Sequence, residues 1–325
     1  MNVRHLALAA AMLVPLSIPA QTSSSSFAGG PYAPIILLVP AGPRTLAMGN
    51  TGVTSRDDDA LFFNPAMLAV ARGMSASYEH YSDRVNGGSL SSVTRFNTGG
   101  IAVGMSMLDS RPAIATFPTT RASLGAVGPD QTSIEAVAGI AQVFKGYRIG
   151  AAGKFAQDAG NGVQLSRVAL DLGVSKDYFQ GYTFGLAVQN LAKPISVQCT
   201  LISTCSTFGS PEPAVTGGIT EANLPIRTTL GVSTTKQVGE FDLLATAALG
   251  MYRINFFAPS GGAELGYSWL DGYSIAVRAG LRRPTPGEAA FTAGAGFNVD
   301  RLSIDYAMET LDASHVAHRI GLRIR

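Results

Sequence analysis

Apolar residues alternate with small or polar residues along most of this chain. The letters YTFGLAVQ at 182–189 show the pattern, because every second residue there is large and apolar. Successive side chains of a β-strand point to opposite faces, so a period of two predicts strands with one apolar face. A membrane-spanning helix needs about 20 consecutive apolar residues, and no such run follows the first twenty residues. The chain is therefore predicted to be all-β.

The composition indicates that these strands lie in a membrane. Charged residues make up only 14% of the chain, against roughly 25% in soluble proteins. A membrane β-barrel combines low charge with the absence of long apolar runs, because lipid-facing and lumen-facing residues alternate. The net charge of +2 is too small to indicate nucleic acid as a partner. A soluble all-β protein is the alternative interpretation.

The alternating segments number about fourteen, an even count that is typical of outer-membrane barrels. We therefore predict an antiparallel transmembrane β-barrel of about 14 strands. The segment before the first strand is long for a periplasmic tail, so we expect it to fold back into or under the barrel as an N-terminal hatch segment. The predicted strands are 73–81, 88–97, 99–109, 132–145, 147–157, 163–176, 180–190, 225–235, 239–252, 261–270, 272–281, 289–298, 300–309 and 315–325.

The predicted connections alternate between short and long. Short periplasmic turns and longer outer loops are typical of outer-membrane barrels. The short turns are expected at 97–98, 145–146, 178–179, 238, 271 and 299, and the longer connections at 82–87, 110–131, 158–162, 191–224, 253–260, 282–288 and 310–314.

The N-terminus has the features of a secretory signal peptide. Arg4 precedes an apolar run at 6–18, and the small residue Ala20 precedes Gln21, which is the pattern of a cleaved leader. We expect residues 1–20 to be the signal peptide, 21–72 a linker and hatch segment, and 73–325 the transmembrane barrel. The expected location is the outer membrane of a Gram-negative-type bacterium, with outer-membrane lipid around the barrel.

Charged residues lie in the polar phase of the predicted strands, where they would face the lumen. Two interpretations stay open for them: a lumen lined for a polar or amphipathic substrate, or internal ion pairs that fill and rigidify the barrel. Small residues in the same phase leave space for a ligand, water or the N-terminal segment. The candidate lumen-facing charges are Arg148, Arg167, Asp171, Arg227, Asp242, Arg278, Arg301, Asp305 and Arg319.

The stretch GPRTLAMGNTGVTSRDDDALFFNPAMLA, which precedes the first strand, resembles the N-terminal signature of FadL-like outer-membrane proteins, and most closely the PorV/PorQ branch. Asn50, Thr51 and Met67 stand where small residues are usual, and the chain ends in RIGLRIR instead of a terminal aromatic residue. The matching positions are Arg44, Met48, Gly49, Asp57, Asp58, Asp59, Ala60, Phe62, Phe63, Asn64, Pro65 and Ala66.

This resemblance implies a fourteen-stranded barrel with an N-terminal hatch in the lumen. FadL-like relatives pass hydrophobic molecules through the barrel, which implies a hydrophobic small molecule in the lumen and a gap in the wall for lateral release. The PorV branch acts with the type IX secretion machinery, which implies secretion-system proteins as partners. We expect transport of hydrophobic or amphipathic molecules, with the secretion role as the alternative.

Other candidate chemistry is sparse. Cys199 and Cys205 lie in one predicted outer loop, and an oxidising periplasm favours a disulfide between them. Three adjacent aspartates lack the spacing of a calcium loop, so we expect no metal site and no cofactor. His80 and His318 fall near predicted strand ends. Neither G-x-S-x-G nor a P-loop occurs, and the chain is not expected to be an enzyme.

Overall fold

The protein folds as a closed antiparallel β-barrel of fourteen strands. The computed structural model describes residues 34–39, 42–82, 85–111, 131–160, 163–178, 181–193, 195–198, 219–222, 224–252, 256–283, 289–310 and 316–325. The predicted signal peptide at 1–20, and both Cys199 and Cys205, lie outside the described residues.

Sixteen strands occur in the described residues, and fourteen of them close the barrel. β1 pairs with both β2 and β16, and β7 pairs with β10, so the ladder is continuous around the wall. β8 and β9 form a separate two-stranded sheet in the connection between β7 and β10. The strands are β1 Gly73–Ser82, β2 Val85–Phe96, β3 Gly99–Ser110, β4 Gln131–Phe144, β5 Tyr147–Gly160, β6 Val163–Tyr178, β7 Tyr182–Leu191, β8 Ile195–Gln198, β9 Ile219–Ala222, β10 Arg227–Val238, β11 Phe241–Tyr252, β12 Phe256–Leu270, β13 Tyr273–Arg282, β14 Phe291–Val299, β15 Leu302–Thr310 and β16 Val316–Ile324.

One end of the barrel, here called the turn end, carries the short turns together with Gly73 and Ile324. Lys145 and Gly146 both have positive φ, 50° and 79°, as a two-residue type I′ hairpin requires. The opposite end, the loop end, carries the connections that follow β1, β3, β5 and the later outgoing strands. The predicted strand number is confirmed, and each barrel strand lies close to its predicted range.

The prediction that every loop-end connection is longer than the turns was wrong. β1 continues to Ser82 and β2 begins at Val85, while β5 and β6 are separated by residues 161–162 alone. Gly87 falls in the predicted connection 82–87, yet it pairs with Glu79 in the ladder. Glycine in a strand need not end it when both neighbouring strands supply backbone partners.

Large apolar side chains cover the outside of the barrel, and small or charged ones face inward. In β16, residues at alternate positions switch between exposed and buried throughout the strand. Aromatic rings are common near the turn end, where Trp269 stacks on Phe297 at 6.2 Å between ring centroids. This arrangement is that of a transmembrane barrel, with an apolar outer wall and aromatic residues near the membrane surface.

The described residues before β1 form only short helical pieces. These are 3-10 helices at Ile35–Leu38, Gly52–Thr54 and Pro65–Ala69, with α1 at Pro43–Ala47 and α2 at Ala60–Phe63. No helix among the described residues has the length and apolar character needed to cross a membrane. We refer to residues 34–39 and 42–72 as the N-terminal segment.

Candidate functional site: the plugged lumen

The N-terminal segment runs through the inside of the barrel and contacts its walls on several sides. α1 packs against β13, β14, β15 and β16, and the helix Gly52–Thr54 packs against β7 and β10. The helix Pro65–Ala69 packs against β3, β4, β5 and β6. The segment therefore forms a plug that crosses the lumen.

Glycines in β5 and β6 give the plug room on one side. A Cβ added at Gly150 would lie 2.4 Å from the carbonyl carbon of Pro65, and one at Gly173 would lie 1.9 Å from Asn64 Oδ1. Gly150 and Gly173 are directly paired in the ladder. No side chain fits at such distances, so this part of the wall is shaped to the Asn64-Pro65-Ala66 turn.

Asn64 fixes the shape of this turn through its side chain. Its Oδ1 accepts from the backbone N–H of Ala66 at 3.1 Å, and its Nδ2 donates to the carbonyl of Val53 at 2.8 Å. Asn64 is fully buried, and Pro65 occupies the first helical position, where no backbone donor is required. One side chain thus caps a helix and ties two parts of the plug together.

On the opposite side, the backbone at Met48 and Gly49 lies against β12, β13 and β14. A Cβ at Gly280 would lie 2.0 Å from Gly49 N, and Gly49 N donates to Thr292 Oγ1 at 3.0 Å. Gly49 has a φ of 70°, which glycine adopts without strain. The plug is therefore held at close range by backbone on this side as well.

A network of buried charges joins the plug to the same side of the wall. Arg44 in α1 donates to both oxygens of Glu264, at 2.8 and 2.7 Å, and to Asp57. Arg278 continues the network, with Nε 2.5 Å from Glu264 and Nη1 2.7 Å from Asp305.

The network closes through the end of β16. Arg323 lies 2.8 Å from Asp57 and also pairs with Asp305, and Arg325 lies 3.4 Å from Asp57. Four arginines (Arg44, Arg278, Arg323 and Arg325) and three carboxylates (Asp57, Glu264 and Asp305) therefore connect the plug to β12, β13, β15 and β16.

The three consecutive aspartates have three different environments. Asp57 joins the arginine network, Asp58 accepts from Ser75 and from Ser91, and Asp59 accepts from Thr45 Oγ1 at 3.0 Å. No group of three or more His, Cys, Asp or Glu side chains within the described ranges could hold a metal ion.

Their protonation preferences differ accordingly. Burial opposes ionisation of Asp57, but Arg323 and Arg44 outweigh it and hold the pKa of Asp57 well below its ordinary value. Burial raises the pKa of Asp58 despite Arg323 and two serine hydroxyls. Burial and the neighbouring Asp58 charge raise the pKa of Asp59 well above its ordinary value. Asp57 is the aspartate of this trio that acts as a paired anion.

Several other charges predicted to face the lumen are buried in ion pairs. Asp171 lies 2.9 Å from Lys154 Nζ, which is also 3.2 Å from Glu135. Arg148 lies 2.7 Å from Asp177, and Arg319 lies 3.1 Å from Glu79. Two of the remaining predicted charges line lumen cavities: Arg227, which is half-buried, and Asp242, which is exposed near the turn end. Arg167 is half-buried and bonded to the Lys193 carbonyl, and Arg301 is exposed near the turn end.

A small cavity of about 40 Å³ lies between the plug and the loop end. Its apolar wall comes from residues 36–39 with Phe62 and Phe63, and Lys154 and Arg227 contribute to its polar wall. A buried water needs roughly 10–15 Å³ of such volume, so the cavity holds only a few waters. Predicted plug residues from two separate stretches therefore line the same cavity.

Two larger cavities lie on the turn-end side of the plug. Their volumes are about 310 Å³ and 200 Å³, and both are lined by Arg44, Thr235 and Leu244. The larger one is rich in hydroxyl groups, including those of Thr51, Thr54, Ser55, Thr183, Ser233 and Thr246. Polar groups therefore line the lumen on both sides of the plug.

Sequence reasoning missed some residues of this site. Asp158 was assigned to a loop, yet it lies in β5, is fully buried and accepts from the backbone N–H of Ile35 at 2.9 Å. Continuing the alternation Lys154, Ala156, Asp158 would have found it. Glu79, the partner of Arg319, follows the same phase in β1 as Ser75 and Ser77, and it was also overlooked.

The fold and the lumen define a transmembrane β-barrel whose N-terminal segment forms an internal plug, the architecture that the FadL-like resemblance implies. No family model and no curated protein matches the sequence.

Solved structures do share the fold. The Pseudomonas putida toluene transporter TodX is 11% identical with a TM-score of 0.53, over 86% of this chain and 96% of that one. The Ralstonia pickettii toluene transporter TbuX is 14% identical with a TM-score of 0.53, over 88% and 98%. The CymD monoaromatic hydrocarbon channel is 13% identical with a TM-score of 0.53, over 88% and 97%. At these identities the likeness is one of fold.

Proposed function

We propose that this protein is a FadL-like outer-membrane channel that passes hydrophobic or amphipathic molecules, with residues 21–72 acting as its linker and hatch. The observation that carries the proposal is the cavity whose lining includes residues 36–39, Phe62 and Phe63. Its apolar side chains stand beside polar and charged groups such as Glu135, Lys154 and Arg227, a combination that suits an amphipathic ligand. Two toluene transporters and a hydrocarbon channel share this fold, which supports the same class of substrate.

The hatch must move for this cavity to accept a ligand. About 40 Å³ cannot hold a hydrocarbon, and the helix Ile35–Leu38 occupies the space beside it. Ile35 and Ile36 pack against Leu108 and Ala156, and the backbone N–H of Ile35 donates to Asp158. Displacement of residues 34–39 therefore opens the cavity toward the loop end while the arginine network below stays intact.

The experiment tethers that helix. Ile36 and Leu108, which share a buried cluster, are replaced by cysteine in a Cys199→Ser, Cys205→Ser background. Toluene uptake is then measured in cells whose own hydrocarbon channels are deleted. We expect expression to speed uptake when the tether is reduced, and the oxidised tether to remove that gain.

The controls separate transport from gating. The Cys199→Ser, Cys205→Ser parent should transport equally under oxidising and reducing conditions. Equal uptake with and without the protein, for toluene and for dodecanoate as an amphipathic probe, would refute the channel function. Faster uptake that the oxidised tether leaves unchanged would refute the hatch motion alone.

The alternative is a secretion-associated or scaffold barrel of PorV/PorQ type that binds exported proteins through its outer loops. The observation that favours it is the plug across the lumen, together with the resemblance of residues 42–69 to that branch. This role predicts stable co-purification with other envelope proteins in mild detergent. Recovery of lone barrels under several detergent and salt conditions would count against it.

A further inference from the structure

A polar cluster lies on the outer wall near the loop end. His80 in β1 and His318 in β16 are directly opposite each other in the ladder. On the same face of β16 as His318, Val316 and Ile320 are exposed apolar residues, as a lipid-facing wall requires. Neither imidazole contacts the plug or the lumen charges described above, so those parts of the structure do not explain why two histidines lie on an apolar wall.

Each histidine is held by a hydrogen bond at Nδ1. His80 Nδ1 lies 2.9 Å from Asn86 Oδ1, which also accepts from Tyr78 Oη at 2.8 Å. An amide oxygen only accepts, so His80 Nδ1 carries the proton and its Nε2 keeps a lone pair. His318 Nδ1 lies 2.7 Å from Tyr306 Oη, and the two rings stack with centroids 6.1 Å apart.

The Nε2 atoms make no hydrogen bond within the part of the chain that the structure describes. Directly opposite residues have Cβ atoms about 4.5–5.5 Å apart, so both Nε2 atoms can reach a common point. Metal-binding histidines characteristically bond through the other ring nitrogen to a neighbouring group that fixes tautomer and ring orientation. Asn86 and Tyr306 occupy that supporting position here.

We infer that His80 and His318 form a two-histidine site for a divalent transition-metal ion on the outer wall, where it links the first and last strands of the barrel. Imidazole suits Zn²⁺, Cu²⁺ and Ni²⁺, and water completes the coordination. His80 lies two residues from the end of β1, within about 7 Å of the loop end at 3.4 Å per residue. The ion therefore reaches the site from the aqueous side of the membrane surface.

The test is Cu²⁺ binding to the full chain in detergent, purified without a histidine tag. Copper is the strongest binder of the divalent series, and electron paramagnetic resonance counts the nitrogen atoms around it. We expect one Cu²⁺ per chain with two nitrogens. His80→Ala or His318→Ala should leave one nitrogen and weaken binding at least about tenfold, while Asn86→Ala, which removes a supporting group, should weaken it roughly 10–100-fold with both nitrogens retained.

Controls keep the result decisive. Ile320→Ala removes a side chain from the same face of β16 and should bind copper like the parent. Heat-modifiable gel mobility confirms that each variant is folded, and His80→Asn and His318→Gln serve if an alanine variant is not. Because the ion joins β1 to β16, Zn²⁺ should raise the unfolding temperature of the parent but not of either histidine variant. Unchanged copper binding in both histidine variants would overturn the site.

Discussion

The two sides of the plug are held in different ways. Toward β12–β16, charges dominate, with Arg44 and Asp57 from the plug facing Glu264 and Arg323 from the wall. Toward β3–β7, shape dominates, with the Asn64-Pro65-Ala66 turn seated on glycines of the wall. The same short segment therefore has buried ion pairs in addition to close backbone contact on one side, and depends mainly on close backbone contact on the other.

The difference has a physical consequence. Removing one partner of a buried ion pair leaves an uncompensated charge and costs about 3–5 kcal/mol. Adding a methyl group to a tightly filled site costs about 1–3 kcal/mol. The charged side should therefore be the more sensitive to single substitutions, and four variants test this ranking.

The largest effect is expected for Asp57→Asn. Asp57 faces Arg44, Arg323 and Arg325, and the variant leaves four arginines to two carboxylates. We expect a loss of about 3–5 kcal/mol in the free energy of unfolding, measured by urea titration in lipid vesicles at pH 7. The lowered pKa of Asp57 means that its contribution is present above its ordinary pKa and is lost as pH falls through the folded-state pKa.

Asp58→Asn is the matched control for this variant. Burial raises the pKa of Asp58, which means that folding disfavours its ionised form. The negative charge of Asp58 therefore does not stabilise the folded state. A neutral amide of the same shape should therefore cost less than it does at Asp57. Equal losses for Asp57→Asn and Asp58→Asn at pH 7 would contradict the division of roles between these neighbours.

The second-largest loss of unfolding free energy is expected for Gly150→Ala, on the other side of the plug. Its Cβ would lie 2.4 Å from Pro65, and we expect a loss of about 1–3 kcal/mol in the free energy of unfolding. Trypsin should also cleave the N-terminal segment faster, because the turn no longer seats fully.

Gly153→Ala supplies the control within the same strand. A Cβ at Gly153 meets no atom within 4 Å, so the change should stay within about 0.5 kcal/mol. Should Gly150→Ala behave like Gly153→Ala, the plug does not seat against β5 as described.

The third-largest loss of unfolding free energy is expected for Asn64→Ala, which removes the helix cap and the hydrogen bond to the Val53 carbonyl. The loss should be about 0.5–2 kcal/mol. Asn64 Oδ1 is the atom nearest to a Cβ at Gly173, so Gly173→Ala should cost less in the Asn64→Ala background than in the parent. Additive losses in this double-mutant cycle would show that the two residues are not in contact.

Much of the barrel could be predicted from sequence because its period of two is repeated in every strand. Short stretches of the sequence are enough to predict the strand number and to reveal the resemblance of residues 42–69 to a hatch. The hairpin of β8 and β9 was not predicted, since the two short strands lie in a long connection and lack repeated alternation. The β1–β2 and β5–β6 connections were predicted too long, since Gly87 and Asp158 were placed in connections but lie in strands.

The pairing within the site could not be predicted. Alternation places Glu264, Arg278 and Asp305 on the inner face, but which carboxylate meets which arginine depends on the stagger between strands and on the path of the plug. The three aspartates illustrate the limit: adjacent in sequence, they contact an arginine network, two wall serines and a threonine of α1. The sequence pattern predicts which side of the wall each side chain faces, whereas its hydrogen-bond and ion-pair partners depend on the three-dimensional arrangement of the strands and the plug.

The smallest effect is expected for Arg56→Ala, one residue before Asp57. Arg56 lies 3.0 Å from Asp177, but its side chain is 55% exposed, and Arg148 holds the same carboxylate at 2.7 Å. Exposed ion pairs contribute about 0–1 kcal/mol, so the loss in unfolding free energy should stay in that range. In 1 M salt, where the Debye length is about 3 Å, the difference from the parent should disappear. A loss comparable to that of Asp57→Asn would mean that exposure does not separate the two neighbours, and the charged side of the plug would then extend to the turn end of β6 and β7.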